Sequence, residues 1–430
     1  MNTRLDRLSN WILTRTLEHL PQGFLEIADG GGTRGFGTAG SEPSALVTVH
    51  DDRFFRRVLT GSDIGLGESY VDGDWSSPDL VAFLRLAIRN LALFEDRHRL
   101  FTALGRWRGL VGHRRRANTR AGSRANIHAH YDIGNEFYRL FLDPSMAYSC
   151  GVYRSPGDTL EQAQFEKVDR ICRKLGLGPS DHVLEIGTGW GGFAAFAATR
   201  YGSRITTTTI SAEQYQYAAE LVARKGLGPD RVRLLQEDYR DLRGRYDKIV
   251  SIEMFEAVGH RNYDTFFAQC DRLLAPDGAM ALQTITVPDR RFRQYLTTPD
   301  WIQKHIFPGG ELASVAAILR SLARVTRLSL HHAEDIGAHY ARTLRAWRER
   351  FTDRLDDVLA LGFDTRFVRT WEYYLASCEA AFAERLIGNA QLVLAKSMNR
   401  RPLLDEPWAG PGEADAFPWR DAARELSSAS

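Results

Sequence analysis

Short apolar runs alternate with amphipathic stretches through the second half of the chain. Residues 183–186 have the pattern of a buried strand, and a glycine-rich turn and a helix over 193–199 follow them. The same pattern predicts four more strands at 204–210, 232–236, 248–252 and 279–285, with helices at about 213–225 and 263–274 between them. Strands that alternate with helices predict right-handed β-α-β units and a mostly parallel sheet that is covered on both faces. The predicted fold class is therefore α/β.

The two ends of the chain have other patterns. Leu5, Leu8 and Ile12 lie near one face of an opening helix, which we interpret as core packing, with membrane contact as the alternative. A strand is predicted at 45–49. Near the other end, residues 371–396 are interpreted as one long helical stretch with its aromatic residues in the core.

The charges of the chain nearly cancel, but they are unevenly distributed. The 56 Lys and Arg residues against 54 Asp and Glu give a formal net charge of +2 over 430 residues. Residues 97–124 contain nine arginines and no acidic residue, so removing these nine charges leaves −7 on the rest of the chain. Such a segment is either a solvated linker or a site of attraction to anionic phospholipid headgroups, and both interpretations stay open. No nucleic-acid recognition motif accompanies it, so we expect no nucleic-acid partner.

Cysteine usage and hydropathy restrict the class of protein further. The four cysteines are scattered without a CxxC pair, which predicts neither a disulfide framework nor a metal site. Charged residues interrupt the apolar ones over residues 1–20, and no window approaches the roughly 20 apolar residues of a spanning helix. We therefore expect a cytoplasmic protein that lies at most on the surface of a membrane.

The turn after the first predicted strand of the α/β region carries the first chemical signal. It reads Glu-Ile-Gly-Thr-Gly-Trp-Gly-Gly over residues 185–192. A dinucleotide-binding fold would need an acid about 20 residues later, at the end of the second strand. That strand ends in Thr206–Ser211 without an acid, whereas Glu185 precedes the glycines. A carboxylate at Glu185 can hold the cationic amino group of S-adenosylmethionine (SAM), so the spacing favours a SAM methyltransferase over a dehydrogenase.

Several further motifs occur in an order that is similar to one known family. Over about residues 61–396 the chain resembles the cyclopropane fatty acid synthase family of SAM-dependent methyltransferases. The matching stretches are GESYVDGDW (67–75), HYDIGN (130–135), YSC (148–150), LEIGTGWGG (184–192), TISAEQ (209–214), MFEAVG (254–259), residues 301–310 and residues 339–347.

The resemblance implies a domain organisation. Residues 125–400 would form a Rossmann-like class I methyltransferase domain with a seven-stranded, mostly parallel sheet. Residues 1–96 would form a smaller α+β domain that engages lipid, 97–124 an arginine-rich linker and 401–430 a carboxy-terminal tail, which we expect to be poorly ordered.

The resemblance also implies an activity and its partners. Family members transfer a methyl group from SAM to a cis double bond of an acyl chain, usually in a phospholipid, and loss of a proton closes a cyclopropane ring. The expected partners are thus unsaturated phospholipid acyl chains and an anionic membrane surface, with a homodimer as a further candidate. The expected location is the inner face of the cell membrane, with the protein bound peripherally.

The family's cofactor contacts can be carried over to matching positions. By resemblance, Tyr148 and Ser149 touch SAM, Gly187 and Gly189 line its methionine portion, and Gln214 faces its ribose. The remaining residues expected to bind the cofactor are Glu185, Gly191, Thr209, Asp238 and Tyr239, of which the last two flank the adenine.

The catalytic positions match the family only in part. Typical members hold a bicarbonate ion as the base with a Cys, a Glu, a His and a Tyr, of which Cys150, Glu256 and Tyr340 are present. Gln283 replaces the His, and Glu253 replaces a Gly. We hypothesise that the Glu253 carboxylate takes the place of the bicarbonate, with Gln283 as a neutral hydrogen-bonding partner.

The second interpretation is that Glu253 points to solvent or caps the next helix and that bicarbonate still binds. If the two carboxylates lie close together, the pKa of one of them should be raised. A relocated base also leaves the product open. We expect a cyclopropane first and a methylene- or methyl-branched chain second, while N-methylation of a small amine and a loss of activity also stay open.

Overall fold

The computed structural model describes residues 4–97 and 133–400. The predicted linker beyond residue 97 and the predicted tail from residue 401 lie outside these ranges. The strands are β1 Phe24–Asp29, β2 Gly32–Gly37, β3 Ser44–Val49, β4 Trp75–Ser76, β5 His182–Ile186, β6 Arg204–Thr208, β7 Val232–Leu235, β8 Tyr246–Ile252, β9 Leu274–Thr286, β10 Leu328–Asp335 and β11 Gly388–Lys396.

Helices connect and cover these strands. They are α1 Arg4–Leu17, α2 Arg53–Val71, α3 Leu80–Arg89, α4 Leu91–Arg97, α5 Asn135–Arg139, α6 Leu160–Lys174, α7 Gly192–Tyr201, α8 Ala212–Arg224, α9 Tyr263–Leu273, α10 Asp289–Tyr295, α11 Trp301–His305, α12 Val315–Val325, α13 Gly337–Asp353, α14 Leu355–Ala360 and α15 Thr365–Ala383. Two 3-10 turns, Phe255–Ala257 and His260–Asn262, lie between β8 and α9. Of the described helices, none is long and apolar enough to cross a membrane.

The larger sheet confirms the predicted fold class. Its seven strands are arranged in the order β10-β11-β9-β8-β5-β6-β7, and β9, β8, β5, β6 and β7 are parallel. β11 runs antiparallel between β9 and β10. Apolar side chains of this sheet form a core on each of its faces, which explains the near-continuous apolar runs of its central strands. The carboxyl ends of the parallel strands therefore meet at one edge of the sheet, where a ligand crevice is expected.

The smaller sheet lies near the amino terminus and confirms the expected α+β part. Its strand order is β2-β1-β3-β4, with β1 antiparallel to β2 and parallel to β3. Val47 and Trp75 of this sheet are almost fully buried, and the ring of Phe83 from α3 packs edge-on against Trp75 at 4.9 Å.

The described residues fall into two compact units whose chain segments interleave. The first unit takes in the described residues of 1–116, 293–308 and 344–387, and the second takes in those of 117–292, 309–343 and 388–430. In the first unit, Tyr70 donates a hydrogen bond to Glu372 at 3.2 Å, and Arg85 and Arg89 pair with Glu384. The smaller sheet thus shares its unit with α15, a helix that the sequence analysis placed in the methyltransferase domain.

The carboxy-terminal stretch differs from its prediction. The helix expected to continue to Lys396 ends at Ala383, and residues from Gly388 onward form β11. Arg385 has a φ of +53°, which breaks the helix, and β11 then enters the interior of the larger sheet. The prediction of one continuous helix was wrong because a strand buried on both faces lacks a clear polar side.

The opening helix has its core on another face than predicted. Leu5 and Leu8 are 62% and 52% exposed, and Trp11 is 60% exposed. The buried residues of α1 are Asp6, Ser9, Leu13, Thr16 and Leu17. The ion pair of Asp6 with Arg56 of α2, at 2.9 Å, explains how a carboxylate lies on the buried side. The interpretation of Leu5 and Leu8 as core residues was therefore wrong.

Candidate active site

The glycine turn between β5 and α7 adopts a backbone that favours glycine. Gly187, Gly189 and Gly191 have φ angles of +103°, +51° and +88°. The backbone N–H groups of Gly187 and Thr188 both donate to the carbonyl oxygen of Thr208 on β6, at 3.1 and 3.0 Å. These bonds fix the turn at the carboxyl end of the sheet.

The glycines of this turn differ in the space beside them. A Cβ atom at Gly187 would lie 2.9 Å from the Cβ atom of Met254, so this glycine allows close packing within the protein. At Gly189 no atom of the described residues lies within 4 Å of such a Cβ position. The turn thus has open space at Gly189, which fits the close approach of a ligand.

Glu185 lies at the end of β5, directly before this turn. The residue is 3% exposed, and its Oε2 accepts a hydrogen bond of 2.6 Å from the hydroxyl of Thr207. Burial raises the pKa of Glu185 to about 8. A cationic group beside it would stabilise the ionised carboxylate, so the residue fits the predicted contact with the amino group of SAM.

Side chains of α6 hold the segment Tyr148–Cys150 in place by hydrogen bonds. The Ser149 hydroxyl accepts a hydrogen bond of 2.7 Å from Lys167 Nζ, and the Ser149 carbonyl accepts one of 2.8 Å from Gln164 Nε2. The Tyr148 ring lies 5.5 Å from the ring of Tyr138. Lys167 is 2% exposed, and the sequence analysis did not single it out.

The other predicted cofactor residues follow β6 and β7. The Thr209 hydroxyl donates to Gln214 Oε1 at 2.9 Å, which fixes the side chain at the start of α8. The Asp238 carboxylate accepts hydrogen bonds of 2.8 and 2.6 Å from Arg240, and the Tyr239 ring packs against Phe266 at 5.3 Å. The contacts of these residues with ribose and adenine stay predictions.

A second cluster lies at the ends of the neighbouring strands and is centred on Glu253. Oε1 of Glu253 accepts hydrogen bonds from the Cys150 backbone N–H (2.9 Å), Gln283 Nε2 (2.8 Å) and Asn389 Nδ2 (2.6 Å). Oε2 accepts one from the Tyr340 hydroxyl at 2.6 Å. The side chain makes these bonds instead of capping the 3-10 turn that follows it.

The backbone at Glu253 is unusual for this residue type. Its φ is +47°, in the left-handed region that glycine adopts without cost. A non-glycine residue there costs on the order of 1–3 kcal/mol and persists only where surrounding contacts enforce it. Its N–H donates to the Gln283 carbonyl at 2.8 Å, and its carboxylate is held by four donors. This conformation agrees with the Gly that the family has at the matching position.

Cys150 contributes through its backbone. Its thiol donates to the carbonyl oxygens of Gly151 and Ile336 at 3.2 and 3.6 Å, and burial raises the pKa of the thiol well above its usual range. The neutral thiol is therefore no nucleophile, whereas the N–H group binds Glu253. Among the described residues, no group of three or more His, Cys, Asp or Glu side chains is arranged to hold a metal ion.

Glu256 is the second carboxylate of this region. Its Oε1 accepts hydrogen bonds from the Ile285 N–H at 2.6 Å and the Thr284 hydroxyl at 2.9 Å. Its Oε2 is buried and has no hydrogen-bond partner within the described ranges. Burial, followed by the charge of Glu253, raises the pKa of Glu256 to about 7. The expectation that one of the two carboxylates has a raised pKa thus agrees with the structure.

The sequence analysis missed two polar residues of this cluster. Asn389 is fully buried and binds Glu253, and Gln391 lies directly opposite Gln283 in the pairing of β11 with β9. Residues 389 and 391 alternate with Ala390 and Leu392, which is the period of a strand. Read as a strand, this period places the amides of Asn389 and Gln391 on one face. Because the stretch was interpreted as a helix, the pattern was not used.

Comparisons with known proteins identify relatives of this chain. The model of the mycolic acid cyclopropane synthetase family matches residues 118–392. The chain is 40% identical over 384 residues to the tuberculostearic acid methyltransferase UfaA1 of Mycobacterium tuberculosis, covering 87% of this chain and 88% of the relative. It is 39% identical over 372 residues to the cyclopropane-fatty-acyl-phospholipid synthase of Escherichia coli K12, covering 85% and 91%.

One similar protein has a solved structure that contains a cofactor-derived ligand. The mycolic acid cyclopropane synthase CmaA1 in complex with S-adenosylhomocysteine (SAH) and CTAB is 32% identical, with a TM-score of 0.59 over 64% of this chain and 98% of that one. The family match covers more than half of the chain, and it includes both the glycine turn and the Glu253 cluster. The chain therefore belongs to the mycolic acid cyclopropane synthetase family and is a SAM-dependent methyltransferase.

Proposed function

We propose that the protein methylates a cis double bond in the acyl chain of a phospholipid and that Glu253 accepts the proton lost in the reaction. The observation that carries the proposal is the carboxylate of Glu253, held by Cys150, Gln283, Asn389 and Tyr340 at the carboxyl end of the sheet. The relatives named for fatty-acyl phospholipid and tuberculostearic acid support a lipid substrate. They do not support a small amine as the substrate.

The chemistry requires a base, and Glu253 meets the requirement. Bound SAM supplies an electrophilic methyl group, and its transfer to the double bond leaves a carbocation on the acyl chain. Three donors on Oε1 stabilise the ionised carboxylate of Glu253. Oε2 accepts only the Tyr340 hydroxyl among the described groups, so a second lone pair of this oxygen can take the proton. On this proposal the reaction needs no bicarbonate.

Two products can follow from this one base. If the proton comes from the transferred methyl while its carbon bonds to the cationic carbon, a cyclopropane ring closes. If a hydride first moves between the two former alkene carbons, loss of the proton leaves a methylene branch. We place the cyclopropane first. The replacement of Gly and His by Glu253 and Gln283, together with the similarity to a tuberculostearic acid methyltransferase, supports the methylene branch as the second candidate.

Mass spectrometry of lipids tests this proposal. Total lipid is compared between hosts that make the protein and hosts that make its Glu253→Gln variant. A mass gain of one CH₂ group per monounsaturated chain is expected with the unchanged protein and not with the variant. Mild hydrogenation then separates the products, because a methylene branch takes up hydrogen and a cyclopropane ring does not. An unchanged lipid profile together with methylation of an added amine would overturn the proposal.

Bicarbonate dependence tests the role of Glu253 separately. The purified protein should be equally active in bicarbonate-free buffer and with added bicarbonate. A Glu253→Gln variant that keeps normal activity and responds to bicarbonate would show that the ion, and not the side chain, is the base.

The proposed substrate lies in membranes, and α1 presents a surface that suits an anionic membrane. Leu5, Leu8 and Trp11 are more than half exposed, and the exposed Arg4 and Arg7 lie beside them. Apolar side chains with neighbouring arginines are typical of helices that lie in the headgroup region of anionic bilayers. The arginines of residues 97–124 are predicted to add to this attraction.

Vesicle flotation tests the membrane surface. Leu8→Glu should reduce binding to vesicles of anionic phosphatidylglycerol without lowering activity on detergent-dispersed phospholipid. Leu359→Glu is a matched control, because Leu359 is 47% exposed and lies on α14. Equal binding by the two variants would argue against α1 as the membrane contact.

A further inference from the structure

A line of buried polar groups leads from the surface of α6 to Glu253. Lys174 Nζ donates to Gln391 Oε1 at 2.7 Å, and Gln391 Nε2 donates to Gln283 Oε1 at 2.9 Å. Gln283 Nε2 then donates to Glu253 Oε1 at 2.8 Å. Lys174, Gln391 and Gln283 are 8%, 2% and 1% exposed. The proposed mechanism uses only the last of these bonds.

The chemistry of the groups gives this line one direction. A lysine ammonium only donates hydrogen bonds, so the amide of Gln391 must turn its oxygen towards Lys174. Its NH₂ group then faces Gln283, whose oxygen must accept, and the NH₂ group of Gln283 is left to face Glu253. Gln283 Nε2 also donates to the Cys150 carbonyl at 3.3 Å, so this amide is held at both ends. Without the cation the amide of Gln391 could rotate by half a turn and turn its oxygen towards that of Gln283, because the two ends of an amide have almost the same shape.

We infer that Lys174 is a positioning residue for the base, acting through the two amides. By fixing the direction of Gln391, it supplies a donor to the Gln283 oxygen and so supports the orientation in which Gln283 presents an N–H group to Glu253. A donor stabilises the ionised carboxylate that accepts the proton, whereas an acceptor would favour the protonated form. The inference rests on the proposed role of Glu253 as the base.

Charged and titratable groups surround both ends of the line. Lys174 is paired with Glu334 of β10 at 2.5 Å, and Arg170 also contacts Glu334. Burial lowers the pKa of Lys174, while the Glu334 carboxylate opposes that change and favours the ammonium form. Arg173 and His332 also act on this end. Around Glu253 the titratable groups are Cys150, Lys167, Glu256 and Tyr340.

The pH dependence of kcat with saturating phospholipid and SAM tests the inference. Lys174→Met should move the low-pH limb of the profile to higher pH, with a kcat near that of the unchanged protein at high pH. We expect a loss in kcat of about tenfold or less at the low-pH end. Gln391→Met cuts the line at its centre, leaves the pair of Lys174 with Glu334 intact, and should have the same effect.

Two further variants distinguish an effect of the line from a general effect of removing a positive charge. Lys174→Arg keeps a cation that only donates and should restore the profile. Arg170→Met removes a neighbouring cation but no member of the line, so it should leave the profile unchanged. Profiles of Lys174→Met and Gln391→Met that coincide with the unchanged protein, or an Arg170→Met profile that moves equally, would overturn the inference.

The Glu253→Gln variant separates this inference from the proposed function. If it is inactive while Lys174→Met and Gln391→Met keep the original profile, only the positioning role fails. If it is fully active, both proposals fail.

Discussion

The glycine turn after β5 and the Glu253 cluster after β8 follow neighbouring strands of one sheet, yet they relate differently to the family pattern. The turn keeps glycine at positions 187, 189 and 191, where positive φ angles favour this residue. The cluster has Glu253 and Gln283 at positions where the resemblance implies a Gly and a His. Glu253 itself has a left-handed backbone, with a φ of +47°. The cofactor turn thus uses glycines for its left-handed backbone, whereas the Glu253 cluster places a carboxylate on such a backbone.

The largest expected effect comes from returning the base cluster to the family pattern. Glu253→Gly removes the proposed base and should lower kcat by roughly 10²–10⁴-fold, the usual contribution of a general base. The double variant Glu253→Gly with Gln283→His restores the residues with which typical members bind bicarbonate. Its activity should recover when bicarbonate is added, as measured by methylation of phospholipid in vesicles.

The single variant is the control for the double one. If added bicarbonate also restores the activity of the single variant Glu253→Gly, then the use of bicarbonate does not require the change of Gln283 to His. If the double variant stays inactive at every bicarbonate concentration, the Glu253 cluster differs from the bicarbonate site of typical family members in more than the base.

A smaller effect is expected at the glycine turn, and it should separate binding from stability. Gly189→Ala adds a methyl group at a positive φ but where the protein leaves open space, so beside a small loss of stability it should weaken SAM binding by about tenfold, a loss near 1.4 kcal/mol. Gly187→Ala places its Cβ 2.9 Å from Met254, so it should mainly lower the melting temperature. Calorimetric titration and thermal unfolding measure the two effects. Equal losses of affinity in stable variants would show that the open space at Gly189 is unrelated to the cofactor.

The last effect concerns the pH dependence of stability and Glu256, whose pKa is raised to about 7. The folded protein holds a proton there that the unfolded chain releases above its ordinary pKa, so this group lowers stability as pH rises from about 4.5 to about 7. The loss amounts to about 3 kcal/mol at most. Glu256→Gln should therefore show a smaller fall in melting temperature over this range than the unchanged protein. A parallel fall in both would mean that Glu256 is already ionised at low pH.

The sequence predicted the parts of the fold in which the spacing of apolar residues indicates one type of element and a turn marks where it ends. β5 to β9 and the helices between them lie close to their predicted bounds, because each apolar run is short and ends at a turn. Glu253 meets Gln283 as hypothesised, because Glu253 directly follows β8 and Gln283 lies beside the end of β8 in the parallel strand β9.

The remaining parts depend on tertiary contacts that a single sequence does not show. Asn389 was missed because β11 is buried on both faces and resembles a helix in its apolar content. Leu5 and Leu8 were placed in the core because the buried face of α1 contains polar residues, among them Asp6 with its partner Arg56. A buried carboxylate cannot be predicted without knowing the arginine that pairs with it.

The interleaved segments of the two units have a consequence for synthesis on the ribosome. Arg85 and Arg89 leave the ribosome 299 and 295 residues before their partner Glu384, and β11, which lies inside the larger sheet, comes later still. Neither unit can be completed until α15 and β11 have emerged. The nascent chain therefore carries two unfinished units with exposed apolar surface and an open sheet through most of its translation, which is the state in which chains aggregate or need chaperones.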